Sequence, residues 1–129
     1  MSLFGYASIH GDEGKAQLQA RLAGGARVAG LELDSVTFEE TAEPIQLLKM
    51  LDNLKSGDVL LLSKVYDFTR LSSEYFARVS QVLVERQVSV AACDILDSVI
   101  SLRSSDKARY LTSQVLIDMI AHQTQPATA

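Results

Sequence analysis

The chain has 129 residues, of which 47% are hydrophobic and 22% charged, and its formal net charge is −4. This length fits one domain, and the composition excludes a disordered, collagen-like or disulfide-stapled chain. The negative balance is unlike the basic footprint of a self-sufficient DNA-binding domain. The single cysteine, Cys93, allows no intramolecular disulfide and predicts a reducing, cytoplasmic environment.

No apolar stretch approaches the about 20 residues of a membrane span, so we expect no membrane partner. Residues 1–11 are apolar but lack a basic segment and a cleavage site, which favours a first strand over a signal peptide.

The first third of the chain predicts a strand, a helix and a second strand. Leu3–Ile9 is a short apolar run, and Asp12–Ala26 has an apolar side at helical spacing, with Gly24-Gly25 as its stop signal. Val28–Asp34 is the second predicted strand. The polar and acidic segment Ser35–Glu43 is predicted to be a loop.

The middle of the chain repeats this alternation. Pro44 suits the first turn of a helix that carries leucines at helical spacing and ends near Gly57. Asp58–Val65 has an unbroken apolar centre, which indicates a strand buried on both faces, as in a parallel sheet. A further amphipathic helix opens at Leu71–Glu74.

The last third predicts a fourth strand over Gln87–Ile95 and a short fifth strand over Ser98–Leu102. Ser105 is the expected cap of a long last helix over Asp106–Gln123, and residues 124–129 are expected to form a disordered tail. Alternating strands and helices predict an α/β domain over residues 3–123, with a mainly parallel sheet of four to five strands flanked by helices.

Candidate chemistry is expected at the carboxyl ends of the strands. Ser8 and His10 lie two residues apart and share a face, which suits a nucleophile and its base. We favour the simpler interpretation of two polar residues at a strand end, because no third orienting group is identifiable. The Gly11–Lys15 segment lacks the spacing of a phosphate loop, and its acidic pair would repel phosphate.

No metal or cofactor is expected. His10 and His122 are far apart, and Cys93 stands alone, so zinc-type spacing is absent from the sequence. The segment Lys64–Arg70 mixes both charge signs with two aromatic residues and could contact DNA phosphates. We favour a loop in which Asp67 and Arg70 form an ion pair.

The last helix is apolar around more than one stripe, which predicts burial on more than its own sheet's side. A twofold dimer is the favoured interpretation, and a helix wedged into a groove of its own domain is the alternative. The predicted interface residues are Val115, Leu116, Met119 and Ile120.

Five strings of the chain share their order and spacing with one known family. They are Phe4–Ala7 (G-Y-x-R-V-S in that family), Pro44–Leu51 (R-P-x-(L/F)-x-x-(L/M)-L), Lys55–Leu60 ((R/K)-x-G-D-x-(L/V)), Lys64–Arg70 (K-L-D-R-L-(G/S)-R) and Val88–Asp94 (G-V-x-(L/F)-x-x-(L/I)-D). Gln19 lies where a glutamine recurs in the family's first helix. Residues 3–122 therefore resemble the catalytic domain of the serine recombinases, the resolvase and invertase family, which implies a three-layer resolvase-like domain with a long C-terminal helix.

The chain departs from this family where the family's chemistry lies. His10 stands at the position of the DNA-attacking serine, and Ser8 at that of a neighbouring arginine. Glu43, Tyr66 and Asp67 replace an arginine, an aspartate and a second arginine of the family. Arg70 and Gln19 are the residues that match. Phosphoryl transfer needs cations around the transition state, and two reversals from cation to anion oppose phosphate binding.

The resemblance implies a degenerate pocket and a domain related to site-specific DNA recombination, without strand cleavage, that acts as an interaction or regulatory module. Its expected partner is a second copy or a related recombinase, with weak DNA binding and no C-terminal helix-turn-helix domain in this chain. The first alternative is an active recombinase domain with Ser8 as nucleophile. A further alternative is a small-ligand site built from His10, Tyr66, Asp67 and Arg70.

Overall fold

Strands and helices alternate along residues 1–124, the part of the chain that the computed structural model describes. The tail predicted to be disordered lies, from residue 125 onward, outside the described residues. The elements in chain order are β1 (Leu3–Ser8), α1 (Lys15–Ala29), β2 (Ser35–Glu39), α2 (Ile45–Leu51), β3 (Val59–Leu62), α3 (Tyr66–Thr69), α4 (Ser73–Glu85), β4 (Ser89–Ala92), α5 (Leu96–Ile100) and α6 (Asp106–Ala121). A 3-10 turn, Ser101–Arg103, joins α5 to α6.

The four strands form one parallel sheet in the order β2-β1-β3-β4. Buried apolar side chains cover both faces of this sheet, as the unbroken apolar run of β3 predicts. Helices α1 and α5 pack on one face, and α2, α3, α4 and α6 pack on the other. The predicted three-layer α/β architecture with a long last helix is therefore confirmed. Within residues 1–124, no helix is both long and apolar enough to cross a membrane.

The second strand lies later in the sequence than predicted. Val28 and Ala29 continue α1, and the strand forms over Ser35–Glu39, where we expected a loop. The Gly24-Gly25 pair does not end the helix. Gly30 ends it instead, because it adopts a left-handed φ of 72° and its N–H bonds to carbonyls of the last turn. The alternating sequence of Ser35–Glu39 is the period-two pattern of an edge strand.

The expected fifth strand at Ser98–Leu102 is wrong, because this segment forms α5 and the 3-10 turn. Serine hydroxyl groups, and not a fifth strand, accept hydrogen bonds from the outer edge of β4. The outward N–H of Val90 donates to Ser113 Oγ at 2.7 Å, and that of Ala92 donates to Ser98 Oγ at 3.0 Å. Two serines on α6 and α5 thus satisfy the edge of β4 and close it to another strand.

Gly25 lies where α1 approaches the sheet most closely. A Cβ atom at this position would lie 2.7 Å from Cys93 Sγ and 3.3 Å from a methyl group of Leu61. A Cβ atom at Gly24 would meet nothing within 4 Å. The two adjacent glycines therefore differ in role: Gly25 permits helix–sheet contact, whereas Gly24 adds only backbone freedom.

We predict opposite effects of alanine at these two positions. Gly24→Ala should raise the free energy of unfolding by about 0.5–1 kcal/mol, because alanine favours the helix. Gly25→Ala should lower it by about 1–3 kcal/mol, because the new methyl group overlaps Cys93 and Leu61. Urea denaturation measures both values. The double variant Gly25→Ala/Cys93→Ala should recover part of the loss, and equal effects of the two single variants would contradict the close approach.

Candidate functional site

The carboxyl ends of β1 and β2 border an open cavity of about 260 Å³. Four of the residues predicted from the sequence line it: Ser8, His10, Tyr66 and Arg70. Asp67 lies beneath the surface and is not part of the lining. Gln19 and Glu43 lie outside the cavity, exposed on α1 and just before α2. The structure thus brings together four of the seven predicted site residues around one space.

The Asp67 carboxylate is fully buried and accepts four hydrogen bonds. Its Oδ1 accepts from the backbone N–H of Ser8 at 3.0 Å and from the Ser8 hydroxyl at 2.7 Å. Its Oδ2 accepts from the Ser63 hydroxyl at 2.6 Å and from the N–H of Lys64 at 3.1 Å. These donors offset the cost of burying a carboxylate. Ser8 is only 3% exposed, and its hydroxyl donates its hydrogen to this carboxylate.

The predicted ion pair between Asp67 and Arg70 is wrong, and the segment Lys64–Arg70 is not an irregular loop. It contains the short helix α3, which begins one residue before Asp67. Because Asp67 bonds to Ser8, Ser63 and Lys64, its carboxylate points toward β1 and β3. The Arg70 guanidinium points the other way, toward the loop that follows β2.

Arg70 serves a second buried carboxylate through a tyrosine. Its Nη2 donates to the Tyr6 hydroxyl at 2.9 Å, and that hydroxyl donates to Glu39 Oε1 at 3.0 Å. Glu39 also accepts from the backbone N–H groups of Gln46 and Leu47 in the first turn of α2, each at 3.0 Å. Burial raises the pKa of Tyr6 well above its usual range, so this hydroxyl keeps its proton. Arg70 Nη1 donates to the Ala42 carbonyl at 2.9 Å.

The other cations near this edge of the sheet are paired as well. Glu13 accepts from both Arg21 and Lys64. These two hydrogen bonds, that from Arg21 first, lower the pKa of Glu13 to about 2. Lys15 Nζ lies 3.0 Å from Glu40 and 5.7 Å from the centre of the Phe38 ring. Each of these cations has a carboxylate partner, which reduces its electrostatic attraction for an anionic ligand.

His10 does not act on the Ser8 hydroxyl. Its Nδ1 lies 3.1 Å from the Ser8 carbonyl oxygen, and because a carbonyl only accepts, Nδ1 donates a proton there. The imidazole ring lies 4.7 Å from the ring of Tyr66, which is half exposed. These contacts do not form the alternative pair of a nucleophile and its base, and they fit the favoured interpretation of two polar residues at a strand end.

Of the four residues predicted to line an interface on α6, two are internal. Leu116 and Ile120 are buried in the core between α6 and the sheet. Val115 is 71% exposed and Met119 is 38% exposed. With Leu111, they form an outer stripe at spacings of four residues, which we call the α6 stripe. The helix thus has two apolar sides. One packs against the core of its own domain, and the other, the α6 stripe, faces solvent.

Cys93 and the histidines form no metal site. Within residues 1–124, no group of three histidine, cysteine, aspartate or glutamate side chains is placed to hold a metal ion. The Cys93 thiol lies against α1 and donates to the Arg21 carbonyl at 3.5 Å. Burial raises the pKa of this thiol to about 11, so it is a weak nucleophile at neutral pH.

We predict that Asp67→Asn lowers the free energy of unfolding by about 3 kcal/mol, because an amide has one acceptor oxygen and leaves buried donors without a partner. Asp94→Asn is the matched control. Asp94 accepts one exposed hydrogen bond, from the N–H of Val65 at 2.9 Å, and this change should cost less than about 1 kcal/mol. Urea denaturation measures both, and similar losses would contradict the role given to Asp67.

No protein-family model matches the chain, and no curated protein matches it. The cavity lining, the two buried carboxylates and the paired cations are therefore the observations from which a function has to be argued.

Proposed function

We propose that the chain is a non-cleaving relative of the serine recombinase catalytic domain, which acts through protein contacts in DNA recombination or in regulation associated with DNA. The proposal rests on the burial and hydrogen bonding of the Ser8 hydroxyl. Its hydroxyl donates to the buried Asp67 carboxylate at 2.7 Å, and the residue is 3% exposed. A nucleophile of this kind would have to leave a buried network before it could reach a phosphate.

The paired cations support the same proposal. A DNA phosphate needs donors aimed at the charge that develops in the transition state. Arg21 and Lys64 are bound to Glu13, and Arg70 is bound to Tyr6 and a backbone carbonyl. The cavity is lined by one arginine, Arg70, whose two Nη atoms are already bonded within the chain. It is also lined by one glutamate, Glu40, which pairs with Lys15.

The α6 stripe supports a second copy of this chain as the partner. Exposed Lys107 and Asp118 flank the stripe on the same helix. If two α6 helices pack antiparallel with Leu111 opposite Val115, each Lys107 lies near the Asp118 of the other copy. This arrangement is self-complementary, as a twofold interface requires. The single cysteine, Cys93, allows no intramolecular disulfide and fits a chain that works in the reducing cytoplasm.

DNA binding and cleavage give the first test. With supercoiled plasmid we expect no covalent adduct, and for duplex DNA a Kd weaker than ~10⁻⁶ M at physiological salt. Glu13→Gln should tighten duplex binding by about threefold or more, because it frees Arg21 and Lys64. Glu32→Gln, which makes the same charge change at the other end of the sheet, should not. A covalent adduct that is lost on Ser8→Ala would support an active recombinase and overturn the proposal.

Self-association gives the second test. Val115→Lys should convert the dimer to a folded monomer, because Val115 is exposed and lies at the centre of the α6 stripe. Val84→Lys is the matched control, since Val84 is exposed on α4, away from the stripe. Sedimentation measures the mass and circular dichroism the fold. A wild-type monomer at high micromolar concentration would exclude the dimer.

A further inference from the structure

The two edges of the sheet differ. The outward N–H groups of β4 are bound by Ser113 and Ser98. On the opposite edge, β2 pairs with no strand but β1 within the described residues 1–124. The N–H of Ile9 donates to the Glu39 carbonyl, so Ser35, Thr37 and Glu39 direct their backbone groups toward β1. By the alternation of a strand, Val36 and Phe38 direct their N–H and C=O groups outward.

No hydrogen bond among residues 1–124 engages these outward groups of Val36 and Phe38. An unpaired strand edge of this kind is a template for one more strand. The side chains of Val36 and Phe38 are partly buried against the α1 side of the sheet, so they hold β2 in register. The edge is therefore a rigid row of donors and acceptors.

The charges at the two ends of β2 indicate what fits there. Glu32 and Asp34 precede the strand and Glu40 follows it, all of them exposed. Among residues 1–124, Lys15 pairs with Glu40 and balances the charge at that end, whereas no ion pair involves Glu32 or Asp34. The end of the edge at Glu32 and Asp34 is thus the acidic one, and an added strand with basic residues there is attracted to it.

A second copy fits this edge poorly. Antiparallel pairing of two β2 strands through Val36 and Phe38 is centred on Thr37 and places Asp34 opposite Glu40 of the other copy at both ends. Like charges that lie opposite each other destabilise a strand pair. Lys15 offsets part of this repulsion, but a basic segment meets the carboxylates with no repulsion, so the charge pattern favours a basic partner.

We infer that the β2 edge binds an extended, basic peptide segment of another protein by strand addition. The segment hydrogen bonds to the outward N–H and C=O groups of Val36 and Phe38, and its lysine or arginine side chains lie against Glu32 and Asp34. This site goes beyond the proposed function, because it uses neither the Ser8 network nor the α6 stripe.

Fluorescence anisotropy with the full chain tests this site. The probe is a labelled seven-residue peptide with lysine at both ends and alternating threonine and valine between them. We expect saturable binding at a Kd below about 1 mM, and at least about tenfold weaker binding of the same peptide with N-methyl groups on alternate amides, which cannot pair along an edge. A version with glutamate at both ends should bind at least about fivefold more weakly.

Two further measurements locate the site. In the free chain, the amide protons of Val36 and Phe38 should exchange rapidly and those of Thr37 and Glu39 slowly, and the lysine-ended peptide should protect the first pair. Val36→Pro removes an outward donor and should abolish binding, whereas Val84→Lys, an exposed change on α4, should leave it unchanged. Equal binding of the N-methylated peptide, or no binding at 1 mM, would overturn the inference. Self-association that Val36→Pro abolishes would also overturn it, in favour of a second copy.

Discussion

The buried carboxylate of Asp67 is the constraint on which the carboxyl edge of this sheet depends. It joins the end of β1 to the segment after β3 through four donors, two of them from Ser8. A buried charge is stable only when its hydrogen bonds are complete, so the positions of Ser8, Ser63 and Lys64 are fixed together. The cavity between His10, Tyr66 and Arg70 takes its shape from this arrangement, since α3 starts beside Asp67.

The same physics limits what the edge can do. Glu39 and Asp67 are buried anions, and each takes up polar groups that a phosphate site would need. The Nη atoms of Arg70 donate to the Tyr6 hydroxyl and to the loop after β2, and through Tyr6 this cation compensates the charge of Glu39. A cation that stabilises a buried carboxylate cannot also approach a phosphate without leaving that carboxylate uncompensated. Structural stability and phosphate chemistry compete for the same groups here, and the contacts favour stability.

The sequence was informative where burial is strong and local. The unbroken apolar run of β3 and the capping serine of α6 predicted their elements, because burial on both faces and a side-chain cap leave direct signatures. The sequence does not predict β2 at Ser35–Glu39, because an edge strand is only partly buried and its residues are mixed with acidic neighbours. The Gly24-Gly25 pair misled because glycine can mark either a helix end or a close contact, and only the packed sheet distinguishes them.

The site was less predictable, because its bonds join distant parts of the chain. Ser8 and Asp67 are 59 positions apart, and Tyr6 and Glu39 are 33 apart, so no local pattern pairs them. Tyr6, Glu39 and Glu13 are not among the site residues that the sequence predicts. Glu39 and Glu40 are adjacent in the sequence, and only the fold distinguishes the buried one from the exposed one.

The two edges of the sheet differ because the helices that follow β4 pack beside that strand, whereas the helix that follows β2 packs on one face of the sheet. After β4 the chain turns into α5 and α6, and their serines reach the outward N–H groups of that strand. After β2 the chain passes to α2, and Glu39 at the end of β2 caps the start of that helix on one face of the sheet. No hydrogen bond from that connection reaches the backbone groups of Val36 and Phe38. The serines of α5 and α6 thus close one edge of this sheet, while the other edge keeps outward donors and acceptors with which an added strand can pair.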